Sequence, residues 1–509
     1  MISTFSRRWM YADKLASVFH AVKDKILQMK TISIKIMASL ALAIGLTTGC
    51  KKSFLELAPI SNANVNNVFK SRQDFDLALN NAYSTLYAIY APKGSMSFTG
   101  ELMSDNTTVS TLAISGSFTI VDQQAFRDYS IATSNTGVYQ FWIDHYTSLY
   151  QVNIVISKIA DASLDDSYKK EVVAEMKFLR ALYYFNLVQL YGAVPLVTTP
   201  IQGDDAYKTK RSPAADVYTL ITEDLKAAAA DLPEVGSEPA KGRATKGAAK
   251  TLLGKVYLTM GNKTAAAQTL LEVYNSAKYD LLPAFSSLWG NTSAFKNTKE
   301  SIFEIQYQGG AANPYSNFWP AFAPFENFTI TKYGGGMNMV TEDLYNEYEA
   351  TDPRRDVSFY TGYTKNGVFI PVKFNKKWVD LTAPLDNGGE ACNNNFMILR
   401  YADVLLLLTE ATGDAQYMNK VRARAGLPQY GTAAYPSARW GTVDLALEHE
   451  RRMEFALEYQ RWFDLKRTGR AVAVLSAKGK NINQNKLLLP VPQYAADQNP
   501  NLLPQNTGY

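Results

Sequence analysis

Cysteine and histidine are scarce: the 509 residues hold two cysteines, Cys50 and Cys392, and three histidines. Beyond residue 50 only His145 and His449 remain. A multi-ligand Cys/His zinc site cannot be assembled from these, and a disulfide framework is excluded too. Net charge is also missing once it is located. The chain carries +5, from 52 Lys/Arg and 47 Asp/Glu, but residues 1–49 hold seven of the former and two of the latter, leaving 45 of each over 50–509. A body without net charge has no field to draw in phosphates, so nucleic acid is not an expected partner. Long apolar runs are absent as well: Ile36–Leu46 is eleven residues, short of the ~20 a spanning helix needs. What is present is 47% hydrophobic residues, enough for a large core, which excludes a disordered or collagen-like chain.

Lys30 and Lys35 precede the apolar run and Thr47-Thr48-Gly49-Cys50 follows it. A positive region, a short apolar region and small residues before a break form a secretory signal. The cysteine directly after the small residues is similar to a lipobox, where a diacylglyceryl group is attached, although Thr47 stands where Leu is usual. Cys50 is therefore the expected lipidation site, and anchoring by more than one acyl chain, at ~0.8 kcal/mol per buried CH₂, leaves the mature protein tethered rather than spanning. Residues 1–28 would make an overlong positive region, so Met29 is the expected start.

Residues 50–70, with Pro59 and several Asn, suit a tether, and helical periodicity begins near Ser71. Over Glu171–Tyr191, Val172, Met176, Leu179, Tyr183 and Leu190 mark one apolar face and Phe178, Leu182 and Phe185 a second, which predicts a helix packed on both sides and stopped by Gly192 and Pro195. Ser212-Pro213 reads as a hydroxyl cap and a first-turn proline. Leu253-Gly254-x-x-Tyr257-x-x-x-Gly261, followed by Ala266 and Leu270, has tetratricopeptide spacing, with a generic helical hairpin as the alternative. Ser301–Tyr307 alternates like a strand, and 309–395 is rich in Gly, Pro, Asn and aromatics. Helical pattern returns at Ile398–Thr409, Ala415–Ala425 and Val443–Lys466 before an extended tail. The expected division is 71–280 helical hairpins, 281–395 loop-rich insertion, and 396–509 helices and tail.

Several motifs mimic chemistry. Gly242 to Thr251 approaches a phosphate-binding loop but has two extra residues before the lysine and no preceding strand. His449-Glu450 lacks a second histidine, and Glu450, Glu454 and Glu458 interleaved with Arg451, Arg452 and Arg461 read as an ion-paired helix face. No Gly-x-Ser-x-Gly elbow occurs, and nothing around Cys392 marks it as a nucleophile. A pair of glycosidase carboxylates remains open, because partners can be far apart in the chain. The most informative feature is the crowd Tyr315, Phe318, Trp319, Phe322, Phe325 and Phe328 in a Gly/Pro/Asn-rich loop. A flat ring stacks on the C–H face of a sugar while Asn hydrogen-bonds its hydroxyls. Trp319 and Tyr315, with Phe318, Asn317 and Asn106, are the candidate ligand residues, and Trp319 is expected to project; the alternative is that these rings form the loop's own small core. No metal or cofactor is expected.

Several segments in order resemble the SusD/RagB outer-membrane nutrient-binding lipoproteins of Bacteroidetes. They are Cys50-Lys-Lys-Ser-Phe-Leu-Glu with Pro59, Ala174–Val188 with Tyr191-Gly-Ala-Val-Pro-Leu, Thr245–Gly254, Leu399–Leu406, Asn419–Pro428, Glu450-Arg-Arg-Met-Glu-Phe, Arg461-Trp-Phe-Asp-Leu and, in the tail, Leu489-Pro-Val-Pro492, Asn499-Pro-Asn501 and Gln505-Asn-Thr-Gly-Tyr509. The resemblance spans nearly the whole chain. It implies a mostly α fold of four tetratricopeptide-like hairpins, and a loop-rich part carrying a glycan site. It also implies a lipid-anchored place on the outer membrane, facing outside, and a SusC-like TonB-dependent transporter as partner. Its motifs are scaffold residues: Arg180, Arg400, Asp403, Arg461 and Asp464 are expected as buried ion pairs, and no motif carries ligand residues. Tyr459-Gln460 departs from the Gly-His or Gly-Gln usual there, and Lys51-Lys52 replaces an acidic run. The expected function is non-catalytic capture of oligosaccharide, against two rivals: a surface glycoside hydrolase and a tetratricopeptide-type interaction scaffold.

Overall fold

In the computed structural model of the chain, residues 69–110, 120–201, 203–310, 313–325, 331, 334–386 and 389–509 are described. Cys50, the signal, the start at Met29, most of the tether and Phe328 lie outside them. The fold is mostly α, with short antiparallel strands. Helix α1 (Arg72–Ser84) opens on a reciprocal cap: the Ser71 hydroxyl accepts from Asp74 N–H while the Asp74 carboxylate accepts from Ser71 N–H at 2.8 Å. Asn135 and Asp165 cap α2 (Thr136–Ala160) and α3 (Asp166–Tyr191), each side-chain oxygen accepting two backbone N–H groups. Both apolar faces read from α3 are buried, because α2 covers one side and α4 (Ala214–Asp231) the other. Gly192, at φ +71°, ends it. The cap of α4 differs from expectation. Pro213 is the residue before the helix, no side chain caps it, and Ser212 instead pairs with Val194 in a short ladder.

Next come α5 (Lys246–Thr259) and α6 (Lys263–Asn275), a tight antiparallel pair. A Cβ on Gly254 would overlap the Leu270 side chain, so the small residue is what permits the approach. Ala266 and Leu270 are fully buried, whereas Tyr257 sits half-buried at the hairpin's edge. Helix α6 packs onto α7 (Tyr401–Thr412), although the whole insertion separates them in sequence. The insertion is pinched at its base by an antiparallel ladder between β1 (Ser301–Ile305) and β4 (Phe396–Arg400), so the chain leaves and re-enters the scaffold at one place. Within it, β2 (Phe359–Lys365) and β3 (Val368–Asn375) form a hairpin, and Met339–Val340 pairs with Thr107–Thr108 of the N-terminal half. The helix read from Ile398 begins at Tyr401, because Ile398–Arg400 belongs to that ladder.

After α8 (Gln416–Arg424) the single helix expected over Val443–Lys466 is two, α9 (Val443–Glu454) and α10 (Arg461–Arg467). The break holds Leu457 and Tyr459 at φ +68° and +63°. The resemblance gives glycine at position 459, and the left-handed backbone supplies the reason; a tyrosine there costs roughly 1–2 kcal/mol. It is held by its N–H donating to Glu101 Oε1 at 2.8 Å and by its ring stacked on Phe396, centroids 4.6 Å apart.

The ion pairs expected of the motif residues are present and buried. Arg180 meets Asp224 at 2.7 Å, Asp403 meets Lys255 and Arg451, Arg461 meets Asp105 at 2.8 Å, and Asp464 meets Arg451 and Arg467. The carboxylates Glu450, Glu454 and Glu458 correct the sequence reading. They are buried rather than a helix face, and their partners are Arg354, Arg422, Arg424, Arg400 and Lys377. Adjacent helix positions point in different directions, so Glu450 and Arg451 never faced each other. Arg400 also reaches Glu300 at 2.9 Å. Glu300, Arg354 and Lys377 come from the insertion, so this network bolts it to the scaffold.

Candidate functional site

The insertion's aromatics are turned inward. Phe318 and Trp319 open a short helix, Phe318–Phe322, and are 1% and 2% exposed. Trp319 packs with Phe374, Met339 and Cys392, and Phe318 stacks on Phe396 with centroids 5.3 Å apart. The expected projection of Trp319 is thereby corrected: neither ring offers a face to a ligand. The physical reason is that each ring buries some 150–250 Å², and a loop of Gly, Pro and Asn has little else to make a core from. Asn106 is likewise fully buried. Its Nδ2 donates to Glu101 Oε2 and its Oδ1 accepts from Arg452 Nε, both at 3.0 Å, so it links two buried ionisable side chains rather than meeting solvent.

Tyr315 and Asn317 are different: the first is half-buried and the second exposed. Their segment is pinned at two points. Ser316 and Cys392 exchange backbone hydrogen bonds at 3.0 Å in each direction, and Gln308 N–H donates to Pro314 O at 3.1 Å. Beneath, Tyr307 meets Phe318 edge-on, centroids 5.8 Å apart. The buried rings thus stiffen the strip 313–317, and Gly309 and Gly310 beside it raise no side chain that would screen it. A half-buried phenol ring on a pinned backbone, next to an exposed amide, is suited to a neutral sugar.

Three buried groups with shifted protonation, Glu101, Cys392 and His145, are candidates for chemistry to be weighed against this strip. Burial pushes the Glu101 carboxyl up to about 8, the direction a glycosidase acid needs, yet both oxygens are occupied by Asn106 and the Tyr459 N–H and the side chain is wholly enclosed. Burial raises the Cys392 thiol, the reverse of an activated nucleophile. His145 is driven down to about 4 by burial, with Nδ1 against Phe141 O. Among the described residues no group of three or more His, Cys, Asp or Glu is placed to hold a metal ion, and no helix is long and apolar enough to cross a membrane.

Residues 53–258 match a family model described as starch-binding and associating with the outer membrane, and residues 358–509 match the model of the SusD family. The chain belongs to the SusD/RagB family. SusD-like protein P2 of Formosa agariphila is 26% identical over 500 residues, covering 91% of this chain and 97% of that protein. Among solved structures, a laminarin-binding SusD-like protein is 28% identical with a TM-score of 0.75, and surface glycan-binding protein A from Bacteroides fluxus is 25% identical with a TM-score of 0.73. Each covers 86% of this chain and is itself covered completely.

One surface escapes a reading by composition. Tyr139, Trp142, Tyr146 and Tyr150 form a stripe on α2, diluted among other residue types, and only their three- and four-residue spacing signals it.

Proposed function

We propose that this SusD/RagB protein captures oligosaccharide without cleaving it and passes it to a SusC-like TonB-dependent transporter, held at the outer membrane by a lipid on Cys50. The observation that carries the reading is the pinned strip with Tyr315 and Asn317 accessible above a rigid aromatic core. Kinship supports the ligand class: the 28%-identical neighbour binds laminarin, and we assign this chain a neutral glucan of that kind. The test is calorimetry with laminarin oligosaccharides and their reducing ends followed over time. Tyr315→Ala should weaken binding about tenfold, ~1.4 kcal/mol, with no new reducing ends from either protein. Unchanged affinity moves the site elsewhere, and accumulating reducing ends revive the hydrolase. For the anchor, Cys50→Ala should leave the membrane fraction; retention through a high-salt wash refutes it.

A further inference from the structure

Helix α2 carries two apolar stripes, and one of them is buried among the long scaffold helices. Val138, Phe141, Val152 and Val155 are buried in the scaffold. The other stripe, Tyr139 to Tyr150 with Ile143 at 37% exposed, faces a cleft of about 220 Å³. Its far walls are the chain that follows α3, within 195–201 and 206–209, and residues 495–502. The volume exceeds the ~150 Å³ that encloses a benzene ring, so a pyranose-sized ring fits.

The cleft is fixed before anything enters it. Tyr146 Oη donates to Pro195 O and Asn153 Nδ2 to Val197 O, both at 2.9 Å, while Asn499 Nδ2 donates to Thr209 O at 2.8 Å and so ties the two far walls together. Trp142, at the floor, is held edge-on to Tyr191 and tilted against Tyr146, with centroids 5.1 and 5.0 Å away. Opposite α2 stands Tyr207, 49% exposed, on the short segment Gly203–Lys208. Little ordering is left for a ligand to impose.

We propose that this cleft is a second binding site, separate from the insertion, and that its occupant is a neutral sugar ring. Two features select that class. None of the described side chains lining the cleft is charged, so an ionic ligand would shed its water with no counter-charge to receive it. The polar side chains at its rim include the exposed Thr199 hydroxyl and Gln498 amide, which an aliphatic segment of a partner protein would cover without pairing. A pyranose has one C–H face for Tyr207 or Tyr139 and an edge of hydroxyls for the rim, and it satisfies both.

Hydrogen exchange read by mass spectrometry on the full chain tests this, with laminarihexaose, maltohexaose and mannohexaose as probes and an oligoglucuronate as the charged control. At least one neutral hexaose should slow exchange in 197–209 and 494–502. Tyr207→Ala should shift that titration about tenfold to higher concentration, whereas Tyr207→Phe and Tyr315→Ala should leave it in place. Protection of 308–317 reports the insertion separately, so failure at one site is not read as failure at the other. The proposal is overturned if no neutral probe protects 197–209, if the protection survives Tyr207→Ala unshifted, or if oligoglucuronate protects equally well.

Discussion

In the insertion, Phe318 and Trp319 lie under the loop that carries them, packed on Phe396, Trp378 and Phe374. Across the scaffold cleft, Tyr207 and Ile143 stand open to solvent above a floor of Trp142 and Leu149. The two regions are built from the same residue types and place them oppositely. A segment without regular structure has no helix to supply apolar neighbours, so its rings must find each other or stay wet. A long helix already buries one stripe and can leave a second uncovered. Aromatic density in a loop therefore reports an internal core first, while a ring stripe on the outer side of a helix reports a surface that something can occupy.

The largest effect should come from the bolt between the regions. Arg400 serves Glu300 of the insertion and Glu454 and Glu458 of the scaffold, all buried. Arg400→Met leaves those carboxylates short of a partner and should cost about 3–5 kcal/mol in urea unfolding. Insertion peptides should begin exchanging before peptides of α2 do; simultaneous exposure of both would mean that the two regions are one cooperative unit. Acid probes the same junction. Burial pushes Glu454 up, but Arg424, Arg400 and Arg354 together outweigh it and hold the carboxyl well below its ordinary range; Arg461 and Arg452 do the same for the buried Asp105. Unfolded carboxylates titrate near 4, so this stabilisation is complete above about pH 5 and is lost as pH falls through the depressed folded values. Glu101 has the opposite sign. With its folded value raised to about 8 from 4.5, its contribution is full below about pH 4.5 and disappears as pH rises through 8. Urea midpoints should thus decline on both the acid and the mildly alkaline side, and Arg461→Met should flatten the acid limb.

Of comparable size, but confined to the insertion, is Trp319→Ala. A ring 2% exposed among Phe374, Met339 and Cys392 leaves a cavity when removed, and about 3–5 kcal/mol of stability should go with it. Calorimetry that finds the variant as stable as the parent would put the ring outside the core after all.

Much of the scaffold could be read from the chain. The two faces of α3 and the small residue at Gly254 are repetitive, local signals, while the burial of the motif arginines and aspartates as ion pairs was implied by the resemblance, and the structure uses all of them as read. Three kinds of information were not local. Glu454 pairs with Arg354 and Arg400, about a hundred and about fifty positions away, so no spacing along α9 reveals it. The break at Phe455–Gln460 rests on left-handed backbone at Leu457 and Tyr459, residue types that give no warning; only the glycine expected by resemblance hinted at it. The direction of Trp319 depends on β3 and Cys392 folding back beneath it. Of the site residues read from sequence, Asn317 stays exposed and Tyr315 half-buried, while Ser316 between them is buried by its bridge to Cys392.

The smallest expected effect sharpens the comparison most. Tyr207→Ala removes as much aromatic surface as many core substitutions, yet it should leave the melting temperature within about 1 °C, because exposed positions shift stability by no more than about 0.5 kcal/mol. None of the six residues Gly203–Lys208 is buried, and the Tyr207 ring is half open to water. The chain directly after the segment is held instead by Thr209 O, which accepts from Asn499, and by Arg211 Nε, which donates to Ala193 O at 2.7 Å, and neither contact involves the ring. Scanning calorimetry of Tyr207→Ala beside Trp319→Ala compares the two regions in one experiment. A wide gap between the melting temperatures means that one ring is core and the other is surface. Equal losses would mean that Tyr207 is packed as firmly as Trp319, that the cleft is a seam of the core, and that no sugar ring enters it.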